Sequence, residues 1–258
     1  MSVPVRALRS SHELLASLAN TLDDAGATRM SYCSEWTIAQ VYSHLGSGAE
    51  INLEWLKAAR EHTDPIGQDA MQAIWDRWDA RGPAEQVAEA VRADARLVEA
   101  FEAMSAEELA AAHITLFGGA IELDGEGLAL FRLPEHAVHT WDVAVALDPS
   151  ARVAPYAVDL LIDSLPGRIG WMAKPSGASW SVRVETTGPA RTFVLAATPE
   201  SVSLESGGSD QPDGVVRMPA EALLRLTFGR LDDSNAEGVD ASGAKVAMAD
   251  VRAVFPGF

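Results

Sequence analysis

The sequence predicts an α+β protein in which a helical bundle precedes a smaller mixed domain. In the first part, apolar residues recur at helical spacing in several long segments with short connections, which is typical of an up-down antiparallel four-helix bundle. After the turn-forming sequence Asp-Pro-Ser at 148–150, alternating apolar residues indicate strands among shorter helices. We therefore expect two domains, residues 1–150 and 151–258.

The first predicted helix spans Ser11–Leu22 and is followed by turn-forming residues. The second opens at Thr37, where Thr-Ile-Ala-Gln predicts a capping box with Gln40, and it continues through Leu56. Further helices are predicted at Met71–Trp78, from Pro83 through Phe101, and at Leu128–Leu147.

Three features interrupt this helical pattern. Gly46 and Gly48 are unfavourable in the middle of the second helix. The Gly-rich segment 112–127 indicates a loop or a short hairpin. Pro134 either kinks the last helix or begins a new one in its first turn. The last part of the bundle is therefore a fifth helix or a broken fourth.

The second part of the chain mixes both types of element. Alternating apolar residues predict strands beginning at Trp180, Thr192 and Val202, and Gly-Val-Val-Arg-Met at 214–218 adds a short one. The predicted helices of this part span Tyr156–Ile169, Pro219–Phe228 and Lys245–Val254.

Composition excludes several classes of function. The 258 residues include 20 basic and 37 acidic side chains, a net charge of −17, which would repel nucleic acid and anionic membrane surfaces. No segment reaches the ~18 apolar residues of a membrane span, and the N-terminal residues lack the apolar stretch of a signal peptide. With Cys33 as the one cysteine, no intrachain disulfide can form. We expect a cytoplasmic protein, monomeric or homodimeric.

Two of the six histidines lie in the sequence Pro-Glu-His-Ala-Val-His-Thr-Trp-Asp. Glu135 and His139 are four residues apart, so they share a helix face and are spaced to reach one metal ion. His136 and His139, three apart, are spaced to do the same, and the local pattern leaves the pair ambiguous. A pair of this kind is also common in proteins without a metal.

A third candidate ligand is His44, which lies mid-helix among apolar neighbours. A core histidine is usually just hydrogen-bonded. If its helix packs against the Leu128–Leu147 helix, however, His44, Glu135 and His139 converge as two imidazoles and one carboxylate. Such a set suits Zn²⁺ or a similar divalent ion with an open coordination position.

At these residues the sequence resembles the mycothiol-dependent maleylpyruvate isomerase family, which is related to the DinB-like bundles. The resemblance rests on Cys-Ser-Glu-Trp-Thr-Ile-Ala-Gln-Val-Tyr-Ser-His-Leu-Gly, on Glu-His-Ala-Val-His-Thr-Trp-Asp, and on the 91-residue spacing of His44 and Glu135. It implies a metal-binding DinB-like bundle followed by a sterol-carrier-like domain. It also implies that His44, Glu135 and His139 bind a divalent metal and that mycothiol is a cofactor.

Neighbouring residues add further candidates and two departures from the family pattern, Pro134 and Thr140. Asp142, three residues after His139, is either an acceptor that orients the imidazole or a surface carboxylate. Trp36 and Trp141 are expected to be packing residues rather than substrate platforms. We expect Cys33 to be a small buried apolar residue rather than a thiol of lowered pKa.

In the second domain the candidate is Arg230, which follows Gly229, the expected cap of the helix before it. In the resembled family a Gly-Arg at this point faces the cleft between domains. This implies that Arg230 binds an anionic substrate or the thiol cofactor; the alternative is a solvated surface arginine. Arg225 is expected to form only the polar edge of its helix, so that its replacement has a small effect.

These features predict a zinc-dependent enzyme that activates a low-molecular-weight thiol, mycothiol by resemblance, as a metal-bound thiolate. The thiolate would add to an electrophilic small molecule, giving either an S-transferase or a maleylpyruvate-type cis-trans isomerase. One alternative is a non-catalytic metal- or ligand-binding protein. Another is a metal-dependent hydrolase, for which Asp142 and Glu50 are the available general bases.

Overall fold

The computed structural model describes residues 1–33, 35–208, 211–241 and 245–257. The chain divides into two compact units, Met1–Ala151 and Arg152–Phe258. The first is mainly helical and the second combines helices with a four-stranded sheet, so the predicted α+β class is confirmed. Among the described residues, no helix is apolar over enough length to cross a bilayer.

Four long helices form the bundle of the first unit. The helices of this unit are α1 (Val3–Ala19), α2 (Asp24–Ala27), α3 (Ile38–Glu61), α4 (Gln68–Asp79), α5 (Pro83–Glu102), α6 (Ala106–Ala111) and α7 (Gly125–Leu147). The bundle consists of α1, α3, α5 and α7: α1 and α3 each pack against both α5 and α7, while α4 packs against α3.

The directions of these helices explain which of them complete the bundle. α4 runs back along α3, so α5 starts near the level at which α3 starts. The fourth bundle position is taken by α7 rather than by α4, which the sequence pattern alone did not distinguish. Three pairs of helices are antiparallel. Arg9 bonds Glu102 and His12 bonds Asp94 between α1 and α5, and Trp78 bonds Glu50 and Ser43 bonds Asp79 between α4 and α3. On α7, Arg132 bonds Leu45 within α3, and Asp142 bonds Tyr32 in the segment before α3.

α3 is continuous through both glycines, and its packing explains them. The predicted capping box is present, with Thr37 and Gln40 bonding each other's backbone N–H. A Cβ at Gly46 would lie 2.2 Å from the Trp78 ring, and a Cβ at Gly48 would lie 2.7 Å from Nη1 of Arg132. Both glycines therefore permit a close approach to a neighbouring helix.

α7 is also continuous, although it contains Pro134. Proline has no N–H to donate to the preceding turn, so one intrahelical bond is missing without a break. Residues before α7 form an antiparallel hairpin of β1 (Ile114–Leu116) and β2 (Ile121–Leu123). The candidate ligands after Pro134 therefore lie on the same helix as the residues before it.

The second unit is built on a sheet of order β5-β4-β3-β6, in which β3 and β6 are parallel and the other pairs antiparallel. All four predicted strands are present. A 3-10 segment, Ile162–Ser164, divides the first predicted helix, and the last begins at Met248 rather than Lys245. The elements are α8 (Pro155–Leu161), α9 (Leu165–Met172), β3 (Trp180–Thr187), β4 (Arg191–Ala197), β5 (Val202–Ser206), β6 (Gly214–Pro219), α10 (Ala220–Thr227) and α11 (Met248–Ala253).

Candidate metal centre

The antiparallel packing of α3 and α7 brings His44, Glu135 and His139 together. His44 Nε2 lies 3.2 Å from Glu135 Oε2, and His139 Nε2 lies 3.6 Å from the same oxygen. The two imidazole rings are 4.7 Å apart at their centroids. One potential ligand atom from each residue lies within 4.8 Å of the others, a spacing that fits a shared divalent ion.

This cluster is accessible from one side. The side chains of His44 and Glu135 are 34 % and 46 % exposed, whereas that of His139 is 10 % exposed. Three protein ligands with an open side are typical of catalytic rather than structural zinc sites, which are closed by a fourth protein ligand.

Electrostatics favour the metal-binding protonation states of His44 and Glu135. Burial lowers the pKa of His44, against the opposing effect of its hydrogen bond to Glu135. Burial alone would raise the pKa of Glu135, but the hydrogen bond from His44 and the positive charges nearby, that of Arg132 included, hold it at about 2. A neutral imidazole and an ionised carboxylate are the forms that coordinate metals.

Asp142 holds His139 from the opposite side of the ring. Its Oδ2 lies 2.9 Å from His139 Nδ1, and its side chain is fully buried. By accepting the Nδ1–H, the carboxylate leaves Nε2 as the nitrogen that faces Glu135. Asp142 is therefore an orienting acceptor and not a surface carboxylate.

Cys33 differs from our expectation. It is half-buried, and its thiol donates to Asp142 Oδ2 at 3.0 Å, with Sγ 4.0 Å from His139 Nδ1. The thiol is thus hydrogen-bonded to the carboxylate that orients His139, whereas we expected Cys33 to pack as a small apolar residue. Cys33, His139 and Asp142 also form a second group whose potential ligand atoms converge.

Trp36 lies against both candidate histidine ligands. Its ring centroid is 5.1 Å from that of His44 and 5.9 Å from that of His139. Trp141 is buried in the bundle, where its Nε1 donates to the Ala151 carbonyl at 3.0 Å. Trp36 therefore packs beside the candidate metal ligands, whereas Trp141 is a core residue.

His136 faces the bundle core and not the candidate metal centre. It is 1 % exposed, with Nδ1 at 2.7 Å from Ser11 Oγ and Nε2 at 2.8 Å from Asp94 Oδ2. His12 Nδ1 lies 2.9 Å from the same carboxylate oxygen. This arrangement leaves Glu135 and His139 as the α7 pair that faces His44.

The Asp94 carboxylate is the centre of this core network. Burial opposes its ionisation, but His136, His12 and Arg132 together hold the pKa of Asp94 well below its usual range. The order Ser11, His136, Asp94 is that of a hydrolase triad. All three are at most 1 % exposed, so a substrate cannot reach Ser11.

Glu50 does not face the candidate ligands. Its carboxylate pairs with Arg77 and accepts a bond of 2.9 Å from Trp78 Nε1, both on α4. The general base that a hydrolase would require is therefore not supplied by Glu50.

In the second unit, Gly229 follows α10 with φ 71°, as predicted for its cap. Arg230 is 6 % exposed, and its Nη1 donates to the Phe228 carbonyl at 2.6 Å. A solvated surface arginine is thus excluded. Within this unit, one N–H of the buried guanidinium is thus already bonded to the carbonyl at the C-terminal cap of α10.

The expectation for Arg225 is wrong. It is fully buried and forms a two-bond pair with Glu221, at 2.7 and 2.9 Å. Its Nη1 also donates to both oxygens of Asn235, at 3.0 Å to the carbonyl and 2.8 Å to the side chain. Because removing one partner of a buried ion pair is costly, replacing Arg225 would damage the fold and is no neutral control.

Comparisons with known proteins give the family. Residues 8–144, more than half of the chain, match the family model described as "Mycothiol maleylpyruvate isomerase N-terminal domain". No curated protein matches the chain.

Two solved structures share the fold. A crystal structure of the mycothiol-dependent maleylpyruvate isomerase matches with a TM-score of 0.70 and 15 % identity over 96 % of this chain and 95 % of that one. A histidine-to-alanine variant of that enzyme matches with a TM-score of 0.69 at the same identity and coverage. This similarity shows a shared fold over nearly the whole length, and the match of the family model shows that the chain belongs to the mycothiol maleylpyruvate isomerase family.

Proposed function

We propose that His44, Glu135 and His139 bind a divalent metal ion, zinc, and that the protein is a mycothiol-dependent enzyme acting on an electrophilic small molecule. The main support for this proposal is that two imidazoles and one carboxylate converge at a place where the side chains of His44 and Glu135 are partly exposed. Family membership supports a thiol-dependent isomerisation.

The residues of the candidate metal centre would have separate roles in the reaction. When bound, the metal would lower the pKa of a thiol from its usual ~8.5, so that the thiol is ionised near neutral pH. His44, Glu135 and His139 would hold the ion, and Asp142 fixes the ring of His139. Trp36 packs against both imidazoles and would help to fix their orientation.

When bound beside these residues, mycothiol would supply a thiolate nucleophile for reversible addition to a conjugated cis double bond, which would permit cis-trans isomerisation without consuming the thiol. Protonation of the adduct without expulsion of the thiol would make the same site an S-transferase. Arg230 is our candidate for binding an anionic group of the substrate or the thiol, because its planar guanidinium matches a carboxylate.

Hydrolysis is less well supported. Asp142 already accepts from His139 and Cys33, and Glu50 is engaged by α4. The exposed side of the ligand cluster favours a catalytic over a purely structural metal site.

The test is turnover of a cis-configured maleyl electrophile by zinc-loaded protein with mycothiol, without it, and with S-methyl mycothiol, which cannot ionise. We expect isomerisation only with the free thiol. His113→Ala, which alters an exposed histidine, is expected to behave as wild type, and His44→Ala to be inactive.

The products decide between the two reactions. Accumulation of a thioether adduct would assign the S-transferase reaction. Turnover that is equal with and without thiol would contradict the thiol-dependent mechanism, and binding without turnover would indicate a non-catalytic protein.

A further inference from the structure

Arg132 is a buried arginine that joins the two helices of the candidate metal centre. It lies on α7, three residues before Glu135, and is 3 % exposed. Its Nη2 donates to the backbone carbonyl of Leu45 at 2.8 Å, and Leu45 directly follows His44 on α3. A hydrogen bond from one ligand-bearing helix thus ends at the backbone beside the ligand of the other.

Gly48 provides the space for this guanidinium. It lies one helical turn after His44, and a Cβ there would be 2.7 Å from Arg132 Nη1 and 3.4 Å from Cζ. A side chain at this position would have to displace the guanidinium or the helix. Glycine is unfavourable within a helix, and the close approach of Arg132 gives it a packing role.

The charge of Arg132 is partly compensated: burial lowers the pKa of the guanidinium, and two carboxylates oppose that effect. The carboxylates of Asp94 on α5 and Glu135 on α7 both act on it as opposite charges. A buried guanidinium with such partners can be retained, whereas an uncompensated one is strongly unfavourable. Arg132 therefore has opposite charges on two helices near it, and its direct hydrogen bond is to the Leu45 carbonyl.

The distance between α3 and α7 decides whether the ligand set can form. Glu135 and His139 are both on α7, so their spacing is set by one helix, whereas His44 reaches them from α3. Ligand distances in metal sites are held to within ~0.2 Å. A small displacement of α3 would therefore affect His44 selectively.

We propose that Arg132 is a positioning residue of the metal centre, which acts through its contact with Gly48 and the Leu45 carbonyl to hold His44 against Glu135 and His139. This inference rests on the metal centre proposed above. Arg132 itself is not a ligand and does not touch the reacting groups.

The experiment compares Gly48→Ala and Arg132→Lys with Leu97→Ala, which removes buried volume from α5, a helix that carries none of the candidate ligands. Zn²⁺ affinity is measured by competition with a chelator, the visible spectrum of the Co²⁺ form reports ligand geometry, and urea unfolding reports stability. We expect Gly48→Ala and Arg132→Lys to weaken Zn²⁺ binding about 10- to 100-fold, as loss of residues that orient metal ligands does, and to change the Co²⁺ spectrum. Leu97→Ala is expected to lower stability and leave both readouts unchanged.

The double variant Gly48→Ala with Arg132→Lys tests whether the two residues act through one contact. In that case the loss of affinity in the double variant is smaller than the product of the two single losses. Independent effects that multiply would contradict the contact with Gly48.

The positioning role is overturned if the Gly48 and Arg132 variants bind Zn²⁺ as the wild type does, or weaken only as much as Leu97→Ala does. In that case the proposed metal centre would still stand, provided that the wild type binds zinc in the same experiment. Absence of zinc binding by the wild type would instead overturn both the metal centre and this inference.

Discussion

Replacing His139 by alanine is expected to abolish stoichiometric metal binding. His139 is the least exposed of the three candidate ligands and shares the Glu135 carboxylate with His44. Because loss of residues that merely orient ligands weakens metal sites by ~10- to 100-fold, loss of a ligand should weaken binding by more than about 100-fold. Metal analysis after dialysis against a weak chelator checks this, and His44→Ala should give the same result.

The matched control is His113→Ala, because His113 is an exposed histidine outside the ligand cluster. It should retain about one metal ion per chain, as expected for a single site. Equal metal content in His139→Ala, His44→Ala and the wild type would refute the assignment. Loss of metal in folded His136→Ala, with retention in Glu135→Ala, would show that His136 and His139 form the pair.

The second large effect is expected in the bundle core, where Asp94→Ala should lower the free energy of unfolding by about 3–5 kcal/mol. The Asp94 carboxylate is buried and is bound by His12 and His136. Its removal also takes away one of the two carboxylates that compensate the buried charge of Arg132. Urea unfolding of the metal-free protein at neutral pH measures the change.

Asp64→Ala is the control for this prediction, since Asp64 is exposed in the loop between α3 and α4. Its effect should be within about 0.5 kcal/mol of zero, as for most surface substitutions. A loss of less than about 1 kcal/mol in Asp94→Ala, in the range of an ordinary hydrogen bond, would mean that the core network contributes little to stability.

Local signals in the sequence predicted the elements that hold the candidate ligands. The capping box at Thr37 and Gln40 fixes the start of α3, and the four-residue spacing of Glu135 and His139 places both on one face of α7. These features depend on residues within a few positions of each other. Periodicity and capping are therefore sufficient to detect them.

The network around the ligands could not be predicted in this way. Arg132 bonds to Leu45 across 87 positions, and His12 pairs with Asp94 across 82. A glycine such as Gly48 only weakens a helical pattern until the residue that packs on it is known. Such contacts depend on which helices become neighbours, and the position of α7 in the bundle followed from packing rather than from order in the chain.

The buried ion pair of Arg225 could have been predicted from the sequence. Glu221 lies four residues before it, the spacing of an ion pair on one helix face, and the structure contains that pair. The apolar neighbours of Arg225 suggested a polar edge. However, a helix that is buried on several sides also buries its charged residues, and these then require partners.

The absorption spectrum of the Co²⁺-substituted protein during titration with mycothiol tests directly whether the metal ion binds and ionises the thiol. If the metal held by His44, Glu135 and His139 ionises the thiol, a sulfur-to-cobalt charge-transfer band should appear and saturate at one thiol per metal. S-methyl mycothiol should produce no such band. A Co²⁺ spectrum unchanged by excess mycothiol would contradict the account.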